Sequence, residues 1–532
     1  MATSCLDAQA ESNAGTLALR PGHTKELTHR AFLNAGASLL DYFARVVVGL
    51  LITPVLVAGL GRSLFGVWEM LGRLIGYMSV TDGRPTEALR LVIANQQAID
   101  DPASKRRCVG SAFAIWLLFL PALTVGGAIL IWLSPLLTKV PPEWHSSVRL
   151  TAALLVISFL LANLAALPES VLRGMNLGYR RMGLQAGLNV VGAVLTAAAI
   201  YTSLGLIGIA GAQVLLSGIT GLLFWLVVKK YVRWFGIAKP SRTEIRSLLK
   251  VSVWNSAGNL IAKLHLASDV IILGAVASSS LVTTYVLTGY AALAVVGILT
   301  LTLEATSPGL GGLIGEKQYK KTATLRREIM AINWLLVTAA GSTILLWNKS
   351  FLHLWVGADY YAGPLVNLLI VLLMAQTVFI RSDSYVIDAT LHLRDRVLVS
   401  VGAVIISVAL SIVLTRYYGI FGLCLGMMGG RLVQTVSYPL IVNSLLGRVQ
   451  ARRFGLIRPG LVMILALASS SFLGQGLLAR NWAQWAVGAG VSLGAVLFIT
   501  PILGLGMNSR ESLIKRIKLI WVSIGRQQGG KS

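Results

Sequence analysis

The chain has 532 residues, of which 55% are hydrophobic and only 13% charged, with a mean hydropathy of +0.74. That balance excludes an ordinary soluble domain and marks a polytopic membrane protein. The formal net charge of +25 would suggest nucleic acid in a soluble protein, but the cations fall in alternate loops between apolar spans, with no basic stripe interleaved with aromatics, which excludes that partner.

Residues 1–30 are polar and lack a short apolar core before a small-residue cleavage site, so they are expected to be a cytoplasmic tail rather than a signal peptide. Apolar segments long enough to cross ~30 Å of hydrocarbon then follow, about fourteen in all. Six helices, Phe32 to Leu60, Leu64 to Asn95, Cys108 to Leu137, Ser146 to Arg173, Met182 to Tyr201 and Ile207 to Val228, make a first lobe over 31–230. A basic cytoplasmic linker (231–247) leads to a second lobe over 248–446. Its helices are Leu248 to Val276, Leu281 to Leu313, Thr322 to Trp347, Pro364 to Asp388, Val397 to Leu414 and Ile420 to Leu445. A last pair, Leu456 to Leu477 and Trp485 to Leu503, occupies 455–505. The tail over 509–532 is a basic amphipathic segment, with Leu513, Ile514, Ile517, Ile520 and Trp521 on one helical side, suited to an anionic leaflet.

Alternate loops collect Lys105, Arg106 and Arg107, then Arg180 and Arg181, then the run from Lys229 to Lys250, and later Lys317, Lys320, Lys321, Arg326 and Arg327. By the positive-inside rule these loops and both termini are cytoplasmic, as expected for a multi-pass protein of the cell (inner) membrane. Aromatics at Trp132, Trp144, Trp347, Trp355, Tyr417, Tyr418 and Trp485 mark the outer boundary. Cys5, Cys108 and Cys424 are too few and scattered for disulfides or a metal cluster, and no cofactor is expected.

The chain repeats itself. Asn34 to Leu40 matches Asn255 to Ile261, and the segment from Tyr179 through Leu204-Gly205-Leu206-Ile207-Gly208 matches Leu393 through Tyr418-Gly419-Ile420-Phe421-Gly422, 214 positions later. Corresponding loops share one side, so the repeat is parallel. The expected fold is therefore all-α, with two parallel six-helix lobes around a central cavity plus two extra C-terminal helices.

The helix and turn from Asn34 to Gly61 with Phe65-Gly66-Val67-Trp68 after it, Leu172-Arg173-Gly174 followed by Gly205 to Gly208, and the run Leu354-Trp355-Val356-Gly357-Ala358-Asp359-Tyr360-Tyr361-Ala362-Gly363 carry a resemblance. In their order and spacing over roughly Thr28 to Leu445, the chain resembles the bacterial polysaccharide (lipid-linked oligosaccharide, O-antigen-type) flippases of the multidrug/oligosaccharidyl-lipid/polysaccharide exporter superfamily. The resemblance implies alternating access, with the first, second, seventh and eighth helices lining the cavity. It also implies a polyprenyl-pyrophosphate-linked oligosaccharide moved to the outer leaflet, membrane lipids around it, and polymerase or glycosyltransferase machinery as a further partner. The run Gly83-Arg84-Pro85 departs from the smaller, uncharged run more usual there.

Charges inside spans cost about 2.5–3.5 kcal/mol on insertion scales and need a partner or a wet path. Asp41/Arg45, Glu69/Arg73 and Glu169/Arg173 are each spaced i,i+4, as ion pairs on one helix face. Asn34, Ser38, Asp41 and Arg45 form one polar stripe, Glu69, Arg73 and Tyr77 another, and Asn255, Asn259 and Lys263 their counterpart in the second lobe. Arg45, Arg73, Arg84 and Lys263 are the expected phosphate-binding cations, since arginine forks and lysine ammoniums suit phosphate. An anion leaving a negative-inside cell gains about 2.3 kcal/mol per charge per 100 mV. Asp41, Glu69, Asp82, Asp269 and Glu304 are candidates for taking an inward-moving proton or Na⁺. Thr81-Asp82-Gly83-Arg84-Pro85 interrupts the second helix, and Glu304 to Pro308 echoes it about 222 residues later, which makes Gly83, Pro85 and Pro308 hinge candidates. The rivals are multidrug or cation antiport and export of the peptidoglycan lipid precursor by the same fold. A polytopic glycan polymerase or ligase is a third, disfavoured because the outer loops are short and carry few carboxylates and no catalytic motif is present.

Overall fold

The computed structural model describes residues 21–79, 85–96, 101–246, 248–249, 268–390, 393–446 and 457–505. Among them every regular element is helical. In chain order these are α1 (Pro21–Met78), α2 (Pro85–Asn95), α3 (Pro102–Thr138), α4 (His145–Gly174), α5 (Gly178–Tyr201), α6 (Gly205–Tyr231), α7 (Ser279–Gly315), α8 (Tyr319–Trp355), α9 (Pro364–Ala389), α10 (Leu393–Leu445), α11 (Ile457–Leu473) and α12 (Trp482–Gly504). Short 3₁₀ turns at Pro142–Trp144 and Ala358–Tyr360 precede α4 and α9. Residues 242–246 and 268–276 are also helical.

Among the described residues, ten helices are long and apolar enough to cross a membrane. Two of them break internally. Gly61, at φ 72°, divides α1, and Gly419, at φ 55°, divides the 53-residue α10, which unbroken would reach about 80 Å against a ~30 Å hydrocarbon core. With those divisions, the shorter apolar α11 and the helical end of the expected seventh span, the protein is an all-α, multi-pass membrane protein with about fourteen crossings.

The matched repeat segments share a backbone feature. Gly205 and Gly419 sit at φ +54° and +55°, each turning one helix back into the next. That left-handed conformation costs an L-residue about 1–2 kcal/mol and glycine almost nothing. The run from Leu354 to Gly363 has the same logic, with Gly357 at φ +113° and Gly363 at +95°. Its loop is fixed by Thr288, whose hydroxyl donates to the Tyr360 carbonyl at 3.2 Å and accepts from the Ala362 amide at 3.0 Å.

The chain divides into two compact units, Met1–Thr283 and Thr284–Ser532. In the first, α4 packs on α6 and α1 on α5, while α2 lies on α3 and α4. Its apolar core at one end gathers Leu89, Ile93, Cys108, Ile115, Val171, Leu172, Val228 and Leu248. The linker is docked there rather than loose. Ser241 and Glu244 form a reciprocal capping box at 3.2 Å each way, the buried Glu244 pairs with Arg107 at 3.0 Å, and Arg106 Nε donates to the Trp234 carbonyl at 2.6 Å. Residues 268–283 close the unit against α1, with Ser63 and Ser279 hydroxyls 3.0 Å apart and Thr283 Oγ1 donating to the Arg62 carbonyl at 2.6 Å.

In the second unit α9 packs on α10, and α11 and α12 pack on α8. Indole donors fix that last pair: Trp334 Nε1 to the Pro459 carbonyl at 2.9 Å, Trp347 Nε1 to Ser492 Oγ at 3.1 Å and Trp485 Nε1 to the Trp347 carbonyl at 3.3 Å. Trp355 is buried, stacked on Phe351 at 4.9 Å and beside Tyr290 at 4.7 Å. Such ring pairs add about 0.5–1.5 kcal/mol beyond the area they bury.

Candidate functional site

The polar stripes of α1 come to lie in two clusters within the first unit. In one, Arg45 pairs with Asp41 one turn before it, and Asp41 Oδ1 accepts a further bond from Asn189 Nδ2 of α5 at 3.2 Å. Gln185 extends the row, 3.4 Å from Asn189 Oδ1. Asp41 is only 6% exposed, whereas the Arg45 side chain is 65% exposed. The carboxylate is therefore the anchor and the guanidinium the open end. Both lie in a segment apolar enough to cross the membrane, where an exposed cation is tolerated only beside water, polar headgroups or an anionic ligand. The side chains of Asn34 and Ser38 lie outside the described residues.

The second cluster holds Glu69, Arg73 and Tyr77 of α1 with Asp269 of the segment 268–276. Arg73 is within electrostatic range of both Glu69 and Tyr77, and Tyr77 also feels Asp269. Glu69 and Arg73 do not close to an ion pair, unlike the other two i,i+4 couples; the half-buried Arg73 instead faces several polar groups at once. The close approach of 268–279 to α1 needs two glycines. A Cβ on Gly66 would stand 1.9 Å from the Ser279 carbonyl oxygen, and one on Gly274 would stand 2.1 Å from Met70 Sδ.

Near one end of the unit, Arg173 of α4 bridges Glu169 at 3.8 Å and Glu87 of α2 at 3.5 Å, and Arg90 holds Glu87 at 2.8 Å. This network clamps α2 onto α4. The second helix expected over Leu64 to Asn95 is described in two parts, α1 to Met78 and α2 from the buried Pro85, with residues 80–84 outside the described residues. The backbone of α7, in contrast, runs unbroken through Pro308. Asp82, Gly83, Arg84 and Lys263 lie outside the described residues.

In the second unit Glu304 of α7 accepts from the Tyr385 hydroxyl of α9 at 3.2 Å, and Arg381 donates to Thr300 Oγ1 at 2.7 Å. Asp388 pairs with Arg396. The buried Asp383 is held by Arg326 at 2.7 Å, which also reaches Asn443 at 3.3 Å, an arrangement that joins α8, α9 and α10. Sequence reasoning missed Asn189, Gln185 and Tyr385. The first two were detectable as an i,i+4 amide pair in an otherwise apolar helix. Among the described residues no group of three His, Cys, Asp or Glu side chains is placed to hold a metal.

No family model matches the sequence, and a search of curated proteins finds no match. Solved structures do match in fold. The lipid II flippase MurJ in an inward closed conformation superposes with a TM-score of 0.67 at 12% identity, over 87% of this chain and 97% of that one. A multidrug resistance MATE family transporter of the MOP superfamily superposes in its inward-facing conformation with a TM-score of 0.60 at 16% identity, over 76% of this chain and 96% of that one. The outward-facing conformation of such a transporter gives 0.54 at 18% identity, over 78% and 97%. The likeness is one of fold: the chain folds as these membrane transporters do.

Proposed function

We propose that the protein is an exporter of the MOP type that moves a polyprenyl-pyrophosphate-linked oligosaccharide from the cytoplasmic to the outer leaflet of the cell (inner) membrane by alternating access. It would serve cell-surface polysaccharide synthesis, with both termini in the cytoplasm. The observation that carries the reading is the exposed guanidinium of Arg45, in a helix apolar enough to cross a membrane, seated on the buried Asp41. An anchored arginine offers a phosphate two parallel charge-assisted hydrogen bonds, and Arg73, beyond the break at Gly61, adds a second cation. Arg84 and Lys263 are proposed to extend this series. Asp41, Glu69, Asp82, Asp269 and Glu304 are the carboxylates proposed to take the coupling proton or Na⁺, while Gly83, Pro85 and Pro308 supply bending points. Fold neighbours that include a lipid II flippase and MATE family transporters support export rather than an enzymatic role.

The buried acid of the Asp41–Asn189 couple equally favours a second reading, antiport of cationic drugs by the same architecture. Complementation separates the readings. Expression in strains lacking a glycan flippase, the peptidoglycan-precursor flippase or a multidrug exporter is expected to restore surface glycan in the first alone. Arg45→Ala and Arg73→Ala, at normal protein levels, are expected to reduce that rescue at least tenfold. Full glycan export by both variants, or rescue only of drug resistance, overturns the reading.

A further inference from the structure

The first unit has a cleft of about 600 Å³ between α3, α4 and α6, bordered at one end by the linker residues Phe235 to Ile237. It belongs to neither polar cluster of α1. Its walls are apolar, with Phe113, Leu161, Leu164, Leu222 and Trp225 among them, and its lining contains no acidic residue. Ser217, a polar group in the wall, is already bonded to Ser158 at 2.8 Å. From Ser217 to Lys229 the cleft follows α6 for about 18 Å, more than half of a ~30 Å hydrocarbon core. Leu222, Trp225 and Leu226 are exposed on this stretch of a membrane-crossing helix, so the cleft opens toward the bilayer.

The mouth is cationic. Lys229 is exposed, its ammonium is 3.8 Å from the centre of the Trp225 ring, and it makes no ion pair among the described residues. Arg106 borders the same mouth at Gly236, where a Cβ would lie 3.6 Å from its Nε, and its Nε bond to the Trp234 carbonyl fixes it there. A long apolar slot ending at two fixed cations matches one ligand chemistry in both parts: acyl chain along the slot, phosphate at the mouth. We propose that this cleft binds an anionic glycerophospholipid of the leaflet on the Lys229 side. The site is independent of the transported substrate, and its occupancy would brace the docked linker against α3 and α6.

Quenching of tryptophan fluorescence by brominated lipid tests this, because Trp225 lines the cleft. The full chain would be reconstituted in vesicles of phosphatidylcholine carrying equal mole fractions of either dibrominated phosphatidylglycerol or dibrominated phosphatidylcholine. A Trp225→Phe variant isolates the Trp225 signal from the 13 tryptophans of the chain. Phosphatidylglycerol is expected to quench that signal at least threefold more than phosphatidylcholine at low mole fraction. Lys229→Gln should bring the two lipids to the same value while leaving quenching present. Gly218→Leu, at a wall glycine with nothing within 4 Å of a Cβ, should fill the slot and lower quenching by both. Equal quenching by the two lipids in the native protein overturns the proposal. So does a preference that survives Lys229→Gln, or an absence of any Trp225 signal, the outcome expected if a protein segment fills the cleft.

Discussion

Asn189 Nδ2 donates to Asp41 Oδ1 at 3.2 Å, so the carboxylate that seats Arg45 is itself held from a second helix. Three polar side chains from two helices, each apolar enough to cross a membrane, thus act as one unit. A double-mutant cycle of Asp41→Leu and Asn189→Leu, measured by unfolding in detergent, is expected to give a coupling of about 1 kcal/mol, the scale of interhelical polar contacts in membranes. Asp41→Leu alone should be the more damaging single change, since it also strips Arg45 of its counter-charge.

Gly66 and Gly72 lie on the same arm of α1 but meet different surroundings. A Cβ on Gly66 would stand 1.9 Å from a backbone oxygen of Ser279, which cannot swing aside; at Gly72 nothing lies within 4 Å. Gly66→Ala is expected to lower the thermal unfolding midpoint by roughly 1–3 °C. Gly72→Ala should leave it unchanged or raise it slightly, because alanine is the better helix former.

Gly205→Ala and Gly419→Ala should each cost about 1–2 kcal/mol, the penalty of a left-handed L-residue. Gly419 is followed by Gly422, where a Cβ would meet the Leu414 oxygen at 2.0 Å, so the turn it makes is also sterically tight. Gly402→Ala, in α10 with ordinary φ and open space, is the control and should be neutral. Comparable losses at 205 and 419, read by chemical unfolding, would confirm that the two matched turns are structurally equivalent.

Tyr361, in the loop before α9, has its phenol pushed up to about 12 by burial, with a bond to Asn367 opposing that in part. The folded state therefore prefers the neutral phenol. Its contribution is fully present below the ordinary tyrosine value of about 10 and is lost as pH rises toward 12. The difference in stability between the native protein and Tyr361→Phe should be constant from pH 7 to 9 and change only above pH 10. A difference that varies between pH 7 and 9 would contradict the assigned environment.

The sequence by itself determined the membrane class, the number of crossings to within the described residues, and the turns at Gly61, Gly205 and Gly419. These follow from local rules: apolar length against bilayer thickness, and glycine where the backbone must take positive φ. Asp41/Arg45 and Glu169/Arg173 were legible for the same reason, since residues four apart on a helix are neighbours whatever surrounds them. Partners from other helices were not. Asn189 beneath Asp41, Glu87 beside Arg173, Tyr385 on Glu304 and the reach of Asp269 toward Tyr77 depend on which helix faces meet, and apolar helices carry little pattern to declare that. The tertiary structure also decided that Ser279 and Thr283, beyond the first half of the repeat, bond to Ser63 and Arg62 of α1. A repeat is a relation between sequences, whereas a compact unit is a relation of packing, and close contacts such as Gly66 on Ser279 exist only once the chain has folded.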